Sequence, residues 1–142
     1  MTVIRRDVAQ IAACVAAGLQ QAKTESIAAV NAVSGLTRQK FITILPGQIM
    51  IYMAKEREAI ANLAAPTGDS TPYPLLAAEV GVTAPTAWEL AQVWVNVSVY
   101  WRSIAARIEG VQMCAIAQIE NCTDPDDLNA IVATFRPLQG GL

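Results

Sequence analysis

The chain has 142 residues, 54% of them apolar and only 15% charged, with a formal net charge of −2 and no histidine. That length suits one domain rather than two with full cores, and without a basic block nucleic acid is a poor partner. So apolar a composition in so small a chain predicts that part of its surface is covered by partner subunits. The charge is uneven, +3 over residues 1–58 and −5 over the remainder, as solvated faces or two differently partnered ends would give.

From Thr2 to about Ala22 the sequence predicts an amphipathic helix. Ile4, Val8, Ile11 and Val15 recur at steps of four and three, with Gly18 or Leu19 and then Ala22 continuing the face. β-branched residues at both seam positions favour three-stranded association in parallel coiled coils. Arg5-Arg6 before an apolar run has the look of a secretion signal, but Asp7, Gln10 and Gln20-Gln21 interrupt it. Retention in the cell, or carriage in a particle, is the expectation. Helix resumes from Thr24 or Glu25 and stops at Ser34-Gly35, a C-cap signal. Residues 1–37 are read as an N-terminal amphipathic segment and 38–142 as a helical domain.

Phe41 to Leu45 is the best strand candidate, ended by Pro46-Gly47; Ile49 to Tyr52 could extend it, giving a β element at about residues 41–52, or begin a helix. From Met53 to Leu63 the residues are good helix formers. Pro66-Thr67-Gly68-Asp69 opens a turn-rich loop. Pro74 suits the first turn of a short helix, Leu75 to Val80, ending at Gly81.

The spine is the stretch from Thr86 to about Asn121. Leu90, Trp94, Val97, Trp101, Ile104, Ile108, Val111 and Ala115 alternate by four and three over nearly four heptads, the mark of one long helix with a continuous buried face. Thr86 and Glu89 form a capping box. Val93, Val95, Val97 and Val99 also alternate at a strand's period, but the helical spacing runs through them and decides for helix. Asp124 as N-cap and Pro125 at the first position begin a last helix with Leu128, Ile131, Val132 and Phe135 on one face; Pro137 and Gly140-Gly141 end it. The whole is mainly α, an extended or oligomeric helical bundle with one short β element.

No catalytic, cofactor or metal site emerges. The chain has no histidine, no phosphate-cradling glycine loop and no nucleophile elbow. Asp124, Asp126 and Asp127 suit the positive end of a helix dipole. Lys55, Glu56, Arg57 and Glu58 read as a solvated face. Three cysteines are too scattered for a disulfide scaffold or a zinc site; Cys14 and Cys122 are the candidates for pairing between chains. No stretch reaches the roughly 18 apolar residues of a membrane span.

Arg38, Phe41-Ile42-Thr43, Pro46-Gly47-Gln48, Tyr52, Lys55 and Glu58-Ala59 resemble a segment near the ends of bacteriophage tail-fibre and related virion proteins. Tyr73-Pro74-Leu75-Leu76-Ala77-Ala78-Glu79, Trp101 and Ile108-Glu109 extend the likeness, which covers roughly residues 36–134. An N-terminal helix stands where a fibre shaft would be. The resemblance implies a phage structural protein, homotrimeric, contacting other virion proteins and present in host cytoplasm during assembly. Two alternatives belong to other classes: an assembly chaperone that leaves the finished particle, and a small monomeric helical ligand-binding domain with Trp88, Trp94 and Tyr100 lining a pocket. In the leading reading the seams carry the oligomer interface: Ile4, Val8, Ile11 and Val15 on the first helix, and Leu90, Trp94, Val97, Trp101, Ile104, Ile108 and Val111 on the long one.

Overall fold

The computed structural model describes residues 2–43, 45–65 and 68–138, and the side chains from residue 7 onward. The protein is mainly helical. Among the described residues there are five helices: α1 (Thr2–Gln39), α2 (Gln48–Ala64), α3 (Pro74–Glu79), α4 (Ala87–Asn121) and α5 (Pro125–Thr134). Two compact units divide them, one made of Met1–Arg38 with Ala106–Leu142, the other of Gln39–Ala105. Helix α4 contributes its first half to the second unit and its last half to the first.

In the unit that joins the chain's two ends, α1 is one helix of 38 residues. The expected interruption before Thr24 and the stop at Ser34-Gly35 do not occur. Thr24 donates its hydroxyl to the Gln20 carbonyl of its own helix at 3.1 Å, so it caps nothing. Gly35 is absent from the positive-φ glycines, and so does not form the left-handed cap its neighbours signalled. What holds the helix through this region is packing: Val30 and Ser34 are fully buried. Val30 joins Ala115, Ile119, Cys122, Leu128 and Phe135 in one core, flanked by Leu19, Ala22 and Ile27. The N-terminal segment, read from sequence as standing apart, thus shares a core with the end of the chain. Polar contacts fix an antiparallel register: Lys23 Nζ donates to the Glu120 carbonyl at 2.7 Å, Gln112 Nε2 to Asn31 Oδ1 at 2.7 Å, and Arg38 Nη2 to Glu109 Oε2 at 2.5 Å and Gln112 Oε1 at 2.8 Å. Arg38 also places a cation in the last turn of α1, where the helix dipole favours it.

Helix α5 begins as its sequence signals, with Pro125 in the first turn and the Asp124 side chain accepting the Asp126 N–H at 2.9 Å. It ends at Thr134, before the expected stop at Pro137; Gly140-Gly141, also expected to end it, lie outside the described residues.

The other unit corrects the β element. Phe41 and Ile42 lie in a turn and bend, Ile44 lies outside the described residues, and residues 48–52 are helical. No strand is present among the described residues; Val80 and Ala84 make an isolated bridge. The run has strand-forming side chains but no second strand to satisfy its backbone. Gly47, at φ +79, turns the chain directly into α2, and the Gln48 N–H bonds the Leu45 carbonyl at 3.0 Å. A side chain would strain that left-handed position. The core here is Ala59, Leu76, Leu90, Ala91 and Trp94, with Leu63, Tyr73, Leu75, Val80, Ala84 and Val95 around it. Pro66 and Thr67, half of the expected turn, lie outside the described residues. Helix α3 follows the signal at Pro74, and Gly81 at φ +84 closes it. At the start of α4 the Thr86 hydroxyl accepts the Glu89 N–H at 3.2 Å and donates to Glu89 Oε2 at 2.8 Å. The capping box therefore forms with its carboxylate on the hydroxyl.

Candidate functional site

The two predicted seams have different fates. On α1, residues 7–18 are exposed without interruption. Val8 and Ile11 are each 62% exposed and Val15 67%; the side chain of Ile4 lies outside the described residues. Helical spacing puts these three on the face that Leu19, Ala22 and Val30 then carry into the core. The stripe is the core face of α1 continued beyond the residues that cover it.

On α4, by contrast, Leu90, Trp94, Ile104 and Ile108 are buried within the chain, as is Ala115. Leu90 and Trp94 meet Ala59 and Leu76; Trp101 is half-buried. Leu90, Ile104 and Ile108 are covered by their own fold and are removed from the list of interface positions, whereas Trp94 and Trp101 line a groove beside the second core. Val97 and Val111 remain exposed. Heptad spacing reports that a helix face is buried, and is silent on whether the covering helix belongs to the same chain.

Beside the second core lies a half-open groove of about 390 Å³ between α2, the first half of α4 and the connection before α2. Phe41, Ile42, Ile49, Met53, Val97 and Trp101 are among its apolar walls, together with the largely buried Trp94. Ile49 and Met53 are exposed, and Val97 is 62% so. Two ion pairs edge it. Lys55 pairs with Glu79 and sits 4.7 Å from the centroid of the Trp94 ring, a cation–π distance. Arg102 Nη1 lies 2.9 Å from Glu56 Oε1. That oxygen accepts no aligned hydrogen bond among the described residues, so the contact is Coulombic. Trp88 and Tyr100, expected to line a pocket with Trp94, are about half exposed and are not among the residues lining this groove.

Sequence reasoning missed what the Lys55–Glu58 run does. Three of its side chains make long-range contacts. Besides the two ion pairs, Glu58 Oε2 accepts the N–H groups of Leu75 at 2.9 Å and Leu76 at 3.0 Å, satisfying the first turn of α3 from another helix. A row of alternating charges signals exposure, and nothing in it marks a distant helix end.

Of the cysteines, Cys14 and Cys114 are exposed and Cys122 is buried, its thiol donating to the Asp124 carbonyl at 3.1 Å. Pairing between chains at Cys122 would require opening the core; Cys14 lies on the exposed stretch of α1. Among the described residues no group of three His, Cys, Asp or Glu is placed to hold a metal, and no helix is long and apolar enough to cross a membrane. At Asp69 the Thr71 hydroxyl, and then the Thr71 N–H at 2.8 Å, hold the carboxyl below its usual value. No family model, curated protein or solved structure matches the chain.

Proposed function

We propose that this chain is a non-enzymatic structural component of a bacteriophage virion that acts by self-association, three copies being the favoured number, and that meets other virion proteins through its remaining apolar surface. The observation that carries the self-association is the unbroken exposure of residues 7–18 with Val8, Ile11 and Val15 in register on one face. Covering such a side chain fully is worth about 1.5–3 kcal/mol relative to leaving it in water. The stripe continues a core face, so the helix is already formed and oriented when a partner arrives. The viral setting comes from the resemblance over residues 36–134. Light scattering on the purified protein tests the first part: a multiple of the chain mass is expected, and Ile11→Asp should reduce it to a single chain. Mass spectrometry of purified particles tests the second, since an assembly chaperone would be missing from them.

A second reading is favoured by the groove. Its volume and its aromatic lining suit a small-molecule site, which would make the protein a ligand-binding domain. That reading requires a solitary chain in solution, so the same mass measurement separates the two.

A further inference from the structure

We draw no further inference here: the strongest candidate, the half-open apolar groove between α2 and the first half of α4 that Phe41, Met53, Val97 and Trp101 help to line, carries nothing further because nothing in the structure shows what covers it.

Discussion

Ser34 is the sharpest local anomaly. Its side chain is fully buried and its hydroxyl has no partner among the described residues, whereas Thr24 and Thr37 on the same helix donate theirs to carbonyls one turn back. An unpaired buried hydroxyl costs about 1–3 kcal/mol, so Ser34→Ala should stabilise the protein by about 1 kcal/mol, the small void left behind cancelling part of the gain. Thermal unfolding should show a midpoint a few degrees higher, and a lower midpoint would mean that the hydroxyl has a partner. Ser34→Val should fall in the opposite direction, because it forces extra volume into a closed contact. Asp69 offers a second check, by titration. Its carboxyl is held below its ordinary value by the Thr71 hydroxyl first and the Thr71 N–H second. A depressed folded pKa means that the contribution to stability is complete above the unfolded value and disappears as pH falls through the folded one. Thr71→Val removes the hydroxyl and keeps the N–H, so the Asp69 midpoint followed by NMR should move up toward, but not reach, the ordinary carboxylate value.

Among the helices, α3 depends most on a neighbour. Six residues are too few to stand alone, and its first turn is satisfied by Glu58 of α2. Glu58→Ala should cost about 2 kcal/mol, since charge-assisted hydrogen bonds are lost and two N–H groups are left half-buried. Glu58→Gln keeps an acceptor oxygen and should cost less than half as much. Hydrogen exchange at Leu75 and Leu76 would report the difference directly, and equal protection in all three proteins would show that the cap does not hold the helix. The same contact marks the limit of reading this fold from its residues. Local chemistry was legible: Asp124-Pro125, Thr86 with Glu89, and Pro74 with Gly81 begin or end helices where their side chains say so. The long helix was legible because its periodicity outlasts every local ambiguity. Phe41 to Leu45 misled because strand propensity describes side chains suited to a half-buried surface, and Phe41 and Ile42 reached one against a helix. Ser34-Gly35 misled for the converse reason, tertiary packing carrying α1 past a local stop. The groove was invisible, because its walls come from three separated stretches that no spacing relates.

For the molecule as a whole, the apolar excess of the composition is partly absorbed and partly displayed. Leu90, Trp94, Ile104 and Ile108 vanish into the chain's own units, while Val8, Ile11, Val15, Ile49, Met53 and Val97 remain in water. Scattered exposed hydrophobics are ordinary in any protein; aligned ones that continue a core face are a different matter, because one partner helix covers them together. A measurable consequence follows in the unfolding midpoint. If folded chains associate and unfolded ones do not, mass action stabilises the folded state in proportion to the logarithm of concentration. Each tenfold dilution then removes up to about 1.4 kcal/mol per mole of partner released, so the wild-type midpoint should fall by several degrees over a hundredfold dilution. Ile11→Asp replaces a side chain that is already in water in the single chain, and such surface changes usually stay within about 0.5 kcal/mol. Its midpoint should therefore be independent of concentration and coincide with that of the wild type at high dilution. A variant that unfolds well below the most dilute wild type would show that Ile11 is packed inside the single chain, and a wild-type midpoint that ignores dilution would show that the stripe meets no second copy.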